Sequence, residues 1–188
     1  MNVVVVTPRA DTPLIGIVLV KKHLRVEHAD DDDLIALYQS AVEGWLDGPA
    51  GWLGRALGPQ TLRAEGLCAG ADEALRLPFP PVSSVVSVSW IDGAGVERVI
   101  DAESYELVAN RVCPTANEIW PTVGPMAVEF VTGPSTAILP RAIQAAMLLM
   151  IGDLYAFRET TVVGSISSSI QMSPAAEALL SPFRVWRV

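Results

Sequence analysis

The chain contains few of the side chains that carry most protein chemistry. Its 188 residues include only two histidines, His23 and His28, and two cysteines, Cys68 and Cys113. Two histidines close together in sequence are a poor basis for a serine hydrolase triad or a histidine-based metal site. The cysteines share no metal-ligand spacing, so we expect small buried thiols in a reducing compartment rather than a disulfide framework.

Motifs of nucleotide binding and hydrolysis are absent as well. The sequence has no glycine-rich phosphate loop, no His-Glu-x-x-His and no Gly-x-Ser-x-Gly. The serine-rich residues 164–169 have no neighbouring base that would activate a nucleophile. The scattered carboxylates of Asp101, Glu103, Glu106 and Glu129 are expected to mark solvated strand faces. We therefore predict no catalysis and no cofactor, and the catalytic alternative is a hydrolase that uses Asp101, Glu103 or Glu129 as acid and base.

Positive charge is scarce. Thirteen Lys and Arg residues against 21 Asp and Glu give a formal net charge of −8 and a pI near 4.7. This balance argues against non-specific binding to nucleic acid or to anionic membranes. It suits a surface past which DNA slides, because bound phosphates would impede passage. Residues 1–8 lack the basic and long apolar regions of a signal peptide, which predicts synthesis in the cytosol.

The longest apolar stretch, residues 139–159, predicts a helix around which the chain is organised. Pro140 suits the first turn, where its missing N–H would have had no partner. Arg141, Gln144 and Asp153 interrupt the stretch, and a membrane span needs about 20 largely apolar residues, so we expect a helix buried in protein. Its apolar surface covers most of the circumference, which predicts contacts between subunits as well as an intramolecular core. The residues at helical spacing are Ile143, Met147, Met150 and Leu154, flanked by Ala146, Leu149 and Ala156.

Cap signals predict two further helices. Thr12 and Pro13 precede a candidate helix over residues 14–25, although the isoleucines and valines in that range favour a strand. Near the C-terminus, Ser173 precedes a proline at the start of a short helix over residues 174–180.

Four consecutive aspartates, residues 30–33, precede another helix that ends before Gly48. Clustered carboxylates near His23 and His28 could hold a hard cation. We favour capping instead, because carboxylates at this position accept hydrogen bonds from the free N–H groups of the first turn and meet the positive end of the helix dipole.

From residue 60 the hydrophobic period changes to two, which predicts a β lobe. Gly93 and Gly95 permit a hairpin turn inside it. Strands are expected at residues 60–65, 74–77, 82–91, 96–100, 105–109 and 127–132, all in one sheet, with residues 110–125 as an irregular loop and residues 3–6 as an arm or an edge strand.

These patterns together predict an α+β fold. It consists of a small helical bundle with an inserted antiparallel β lobe and a long buried helix near the C-terminus. We expect a single domain, with the helical bundle formed by residues 14–57 and 139–182 and the β lobe by residues 58–135.

Two segments are candidates for contacts with partners. A small polar loop is expected to become ordered on assembly. The last six residues combine aromatic and arginine side chains, which are enriched in interface anchors; they form either a docking tail or a segment that folds back on its own subunit. The loop comprises Gly164, Ser165, Ile166, Ser167, Ser168 and Ser169, and the tail comprises Phe183, Arg184, Val185, Trp186, Arg187 and Val188.

Several segments are distinctive in their order and spacing, and they span most of the chain from Lys22 onward. They are Lys22-His23-Leu24-Arg25-Val26; the acid-capped helix with Leu34 and Ile35; Gly54-Arg55-Ala56-Leu57; residues 75–82 and the strand after them; Val128-Glu129-Phe130-Val131-Thr132-Gly133 before Leu139-Pro140; Ile143-Gln144-Ala145-Ala146 with Tyr155, Arg158 and Glu159; and residues 179–184. This order resembles the head-tail connector (head-completion adaptor) proteins of tailed phages, including those of gene transfer agents. The chain departs from that pattern at residues 14–20, which are less polar, and at Leu53, where a Thr or similar residue is usual.

The resemblance implies a subunit of a dodecameric ring below the portal of a phage or gene transfer particle. The portal protein and a stopper or tail-completion protein would be its neighbours, and DNA would pass through the ring without specific binding. It implies no catalysis, assembly in the host cytoplasm and a final location in the virion neck. We further hypothesise that residues 183–188 grip the portal. Another neck component, a stopper or a terminator, is the alternative.

Overall fold

The computed structural model describes residues 1–68, 70–116, 118–122, 124–134, 139–157 and 172–186. Named strands pair only in antiparallel fashion, which confirms the predicted α+β class. The helices are α1 (Ile17–Leu24), α2 (Asp32–Leu46), α3 (Arg141–Ala156) and α4 (Pro174–Leu180). The strands are β1 (Asn2–Thr7), β2 (Gln60–Leu67), β3 (Leu75–Arg76), β4 (Val82–Ile91), β5 (Glu97–Val99), β6 (Tyr105–Val108), β7 (Arg111–Pro114) and β8 (Met126–Thr132).

The strands form two sheets rather than the single sheet predicted from sequence. The larger sheet has the order β1-β2-β8-β4-β5, and the smaller one has the order β3-β7-β6. The range predicted as an irregular loop contains β7, so that prediction is wrong in part. The reason lies at Ala109 and Asn110, whose φ values of 47° and 65° turn the chain back into a tight hairpin with β6. Positive φ is unusual for alanine, so a turn at this position is not expected from the sequence.

The helices and the β strands each pack around an apolar cluster of their own. Side chains from α1 to α4 form one cluster, with Leu46, Met147 and Leu180 inaccessible to solvent. A second cluster lies between the two sheets and includes Phe130 and Trp120. We call these clusters the helical core and the β-lobe core.

The predicted long helix is present as α3, which packs against α1, α2 and α4. Ile143, Ala146, Met147 and Ile151 are buried. The predicted all-round burial is met only in part within the subunit, because Met150 is half-buried. No helix in the ranges given above is long and apolar enough to cross a membrane.

The start of α1 differs from the prediction. The helix begins at Ile17, with Gly16 at the cap position, rather than after Thr12 and Pro13. The backbone before α1 does not continue the helix, because the N–H of Leu14 donates to the carboxylate of Glu43 on α2 at 2.8 Å. These residues therefore connect α1 to α2 instead of extending α1.

The four aspartates do begin a helix, but not by the predicted hydrogen bonds. Asp31 occupies the N-cap position of α2 and makes no side-chain cap hydrogen bond; its carboxylate accepts from the hydroxyl of Tyr155. Asp32 and Asp33 lie in the first turn, where the helix dipole favours negative charge. Among the described residues, no group of three or more His, Cys, Asp or Glu side chains could hold a metal ion.

Other boundaries agree with the sequence. The long strand β4 covers the predicted residues 82–91, and β1 is an edge strand. Ser173 caps α4, where its side chain accepts from the N–H of Ala176. The expectation of two buried thiols is wrong for Cys68, which is exposed, whereas Cys113 is half-buried.

Candidate functional site

The C-terminal segment folds onto the loop that follows α2. After a 3-10 turn (Ser181–Phe183), the phenyl ring of Phe183 packs against the helical core. The N–H of Val185 donates to the carbonyl of Leu53 at 2.8 Å, and Arg55 donates to the carbonyl of Phe183 at 3.4 Å. Gly54 permits this approach: it has a φ of 63°, and an added Cβ would lie 2.3 Å from the carbonyl oxygen of Val185.

Aromatic rings and one guanidinium group form a stack at this place. The guanidinium of Arg184 lies 4.1 Å from the ring centroid of Trp52 and 3.9 Å from that of Trp186. Trp45 and Trp52 are stacked with centroids 6.1 Å apart. A cation between two indole rings is attracted to both π faces. We call Trp45, Trp52, Arg184 and Trp186 the tail surface.

The tail surface is anchored on one side and open on the other. Trp186 is 70% exposed and Trp45 is 41% exposed. Residues 183–185 thus fold back on their own subunit, which is one of the two alternatives considered from sequence, while the indole of Trp186 is exposed. Burial lowers the pKa of Arg55 beneath this segment. Arg187, Val188 and the predicted assembly loop at residues 164–169 lie outside the described residues.

A second polar cluster, which the sequence analysis missed, joins the helices to the larger sheet. Arg9, just after β1, donates to Glu43 at 2.7 Å and to Asp47 at 3.1 Å. Asp47 also accepts from the N–H of Leu57 at 2.7 Å and from the side-chain amide of Gln60 at 3.3 Å. We call Arg9, Glu43 and Asp47 the Arg9 joint.

The two carboxylates of the Arg9 joint are largely shielded from solvent and are hydrogen-bonded. The side chains of Glu43 and Asp47 are 4% and 10% exposed. Desolvation raises the pKa of Asp47 above its ordinary value, against the opposing effects of the Leu57 N–H and of Arg9. In the part of the chain described, no buried side-chain N or O lacks a hydrogen bond. With both carboxylates held by one guanidinium, the joint is suited to positioning α2 against β2 rather than to acid–base chemistry.

A signal for this joint is present in the sequence. Gln39 and Glu43 on α2 and Asp47 at its C-cap recur every four residues, and Gln39 and Glu43 are almost fully buried. A polar stripe at that spacing on the face that enters the core indicates a buried partner. The partner, Arg9, is remote in sequence, and no periodicity points to it.

Asp101 and Glu129, two of the candidate acid–base residues, lie in positions typical of structural residues. Asp101 accepts from the N–H of Glu103 at 3.1 Å and so caps a 3-10 turn (Ala102–Ser104). Glu129 is half-buried in β8, where its register neighbours are Arg63 on β2 and Ser87 on β4. His28 lies 3.7 Å from Asp30 on the surface.

Comparison with solved structures identifies the fold. No protein-family profile and no curated protein sequence matches this chain. A chain in the neck of an empty gene transfer agent (GTA) particle, computed with C6 symmetry, has the same fold with a TM-score of 0.69 and 22% identity. A chain in the neck of a native GTA particle, computed with C12 symmetry, has a TM-score of 0.67 and 23% identity. A chain in the virion of a native GTA particle has a TM-score of 0.69 and 22% identity.

The similarity extends over the full length of both partners. In each comparison it covers 100% of this chain and 97% of the other. The helical core and the β lobe therefore both have counterparts in those chains. At this level of identity, the result defines the class as the α+β fold found in GTA neck chains.

Proposed function

We propose that this protein is a structural subunit of the neck of a tailed phage or phage-like gene transfer particle. It would form a ring, a dodecamer, between the portal and the stopper or tail, and DNA would pass through the ring. The observation that carries this proposal is the full-length match, at a TM-score of 0.69, to a chain of a GTA neck. That neck and its native counterpart were computed with sixfold and twelvefold symmetry, which fits a ring of identical subunits.

The charge of the chain supports a channel that does not retain DNA. A net charge of −8 opposes contacts with phosphates, and each phosphate contact would slow the passage of a duplex. Basic side chains are also occupied within the subunit, since Arg9, Lys21, Arg63 and Arg98 all form ion pairs with carboxylates. A structural role without catalysis is part of this proposal.

The tail surface is the proposed contact with the portal. Phe183 and Val185 fix the segment to the helical core, so the indole of Trp186 is presented in a defined place rather than at the end of a free chain. Pre-organised aromatic and arginine anchors lose little conformational entropy on docking. Because Phe183 is part of the core packing, a deletion from residue 183 would disturb the fold, and single substitutions are the sharper test.

The experiment is a binding assay between the full chain and portal rings from the same particle, with tail-tube rings as the second bait. Trp186→Ala should weaken portal binding at least tenfold. Phe157→Ala is the matched control, because this aromatic residue is 66% exposed at the end of α3, and it should leave binding unchanged.

The outcomes separate the possible neck roles. Portal binding that survives Trp186→Ala would refute the tail surface as the docking site. Binding to tail-tube rings alone would assign the chain to a stopper or terminator instead of an adaptor. Binding to neither ring would contradict the neck assignment.

A further inference from the structure

The larger sheet ends in two edges that no described strand covers. β1 pairs only with β2, and β5 pairs only with β4. Edge strands are usually protected by lysine, proline or inward-pointing charge. β1 has the sequence Asn-Val-Val-Val-Val-Thr without any of these; its register shifts between Val5 and Thr7 but is regular from Asn2 to Val5. Such an edge is a template for a further strand.

The opposite edge also offers free backbone groups. Asp92 donates to the carbonyl of Val96, and Ile100 donates to the carbonyl of Val88. Since antiparallel pairs alternate in direction, the N–H and C=O groups of Glu97 and Val99 point away from β4. Two residues with four outward backbone groups therefore face solvent at this edge.

The two edges carry matching apolar side chains on one face of the sheet. Val4 is opposite Arg63 on β2, and Val99 is opposite Ser89 on β4. Val4 is 44% exposed and Val99 is 73% exposed. The same face carries four polar residues between them, Arg63, Glu129, Ser87 and Ser89, and Glu97 lies beside Val99 on β5.

The direction of the strands fixes how two copies could join. Five strands alternate in direction from β1 to β5, so the two edge strands run the same way. Copies related by rotation in a ring keep that direction, and the joint between them is a parallel pair. Such a joint uses two different surfaces of one chain, as a closing head-to-tail ring requires.

We propose that the β5 edge of one copy docks in parallel on the β1 edge of the next copy, with Val99 beside Val4, so that the sheet continues around the ring. This inference rests on the proposed function, which supplies the ring. A second copy is the favoured occupant because both edges belong to the same sheet, run in the same direction and end in exposed valines on the same face.

Disulfide trapping tests the joint directly. Val4→Cys and Val99→Cys are made separately in full chains that also carry Cys68→Ser, since Cys68 is exposed. An equimolar mixture under mild oxidation should give covalent dimers, whereas each variant alone should not. The matched control mixes Val4→Cys with Val86→Cys, because Val86 is 54% exposed on the inner strand β4, and it should give no dimer.

Each outcome is decisive. Dimers from Val4→Cys alone would mean that two β1 edges meet each other, which overturns the head-to-tail joint. Rings seen by sedimentation but not trapped in the mixture would refute the edge joint and leave the proposed neck function standing. If the chain forms no ring by itself and none on the portal, both the edge joint and the proposed neck function are contradicted.

A charge placed on the edge provides a second test that does not depend on chemistry at cysteine. Val4→Lys should raise the concentration needed for ring formation at least tenfold, because the lysine protects the edge. Val86→Lys puts the same charge on the same sheet away from its edges and should assemble like the parent. Circular dichroism should show the same fold for both variants, and normal assembly of folded Val4→Lys would overturn the proposal.

Discussion

The helical core and the β lobe use the same ion-pair chemistry in opposite settings. In the Arg9 joint, at the base of the helices, one guanidinium holds two carboxylates whose side chains are 4% and 10% exposed. On the open face of the larger sheet, Arg63 contacts Glu65 and Glu97, which are 42% and 47% exposed. Buried charges are costly to leave unpaired, whereas exposed pairs contribute little. The ion pairs of the Arg9 joint thus hold α2 against the larger sheet, and those of Arg63 keep the open face of the sheet hydrated.

The two regions also differ in where apolar surface reaches solvent. The helices expose Trp186 at the tail surface and also Leu37 on α2, and the β lobe exposes Val4 and Val99 at the edges of its sheet and also Val86 on the inner strand β4. A contiguous exposed apolar patch marks a contact with another molecule, whereas single exposed apolar side chains are common on protein surfaces. We propose that the stacked rings of the tail surface contact the portal and that the edges of the larger sheet contact neighbouring copies.

The largest expected effects come from the two apolar cores. Phe130→Ala in the β lobe should cost about 3–5 kcal/mol, and Met147→Ala in the helices about 2–5 kcal/mol, since both side chains are inaccessible to solvent. Urea denaturation followed by far-UV circular dichroism and tryptophan fluorescence measures both. We expect one shared transition in each variant, because the Arg9 joint couples the regions. A Phe130→Ala variant that loses its sheets first and keeps its helices would show that the two cores are independent.

Removal of the joint's cation is expected to have an effect of similar size. Arg9→Ala leaves Glu43 and Asp47 buried without their partner, which should cost about 3–5 kcal/mol. Arg63→Ala is the matched control on the exposed face and should cost less than about 1 kcal/mol. Denaturant titration at neutral pH compares them, and equal losses would contradict the distinction between the two regions.

Loss of the stacked cation should be milder. Arg184→Ala removes contacts with Trp52 and Trp186 and should cost about 1–2 kcal/mol. The near-UV circular dichroism of the tryptophans should change as well, because the rings lose their fixed arrangement. Arg141→Ala, at an exposed position, should leave that spectrum unaltered. An unchanged spectrum in Arg184→Ala would mean that the stack does not hold Trp186.

The smallest effects concern pH and should have opposite signs in the two regions. The hydrogen bond from Arg63, followed by that from Ser89, lowers the pKa of Glu97 below its ordinary 4.5. Its contribution to stability is present above that value and is lost as the pH falls. Burial raises the pKa of Asp47 above 3.8, so stability from this group is greatest at low pH and declines as the pH rises through its folded pKa.

Unfolding free energies measured from pH 3 to 6 separate the two carboxylates. Glu97→Gln should weaken the rise of stability with pH, and Asp47→Asn should strengthen it. Shifts of the same sign in both variants would contradict the opposite environments described here.

Elements whose bounds depend on a local pattern are predicted correctly from the sequence. Alternation located β4 to the residue, and Ser173 with Pro174 located α4. Elements whose bounds depend on residues distant in sequence are not predicted correctly. The start of α1 depends on Glu43, 29 positions away from Leu14, and the turn at Ala109 uses a backbone conformation that alanine rarely adopts. The fold of the tail onto Leu53 and Trp52 was left open, because no periodicity links segments so far apart.

We propose that this chain is a ring-forming subunit of a particle neck. The sharpest test is electron microscopy of portal rings, imaged with and without added full chain. We expect a second ring of twelve subunits on one face of the portal. Portal rings that remain bare at saturating concentrations of the folded chain would contradict it.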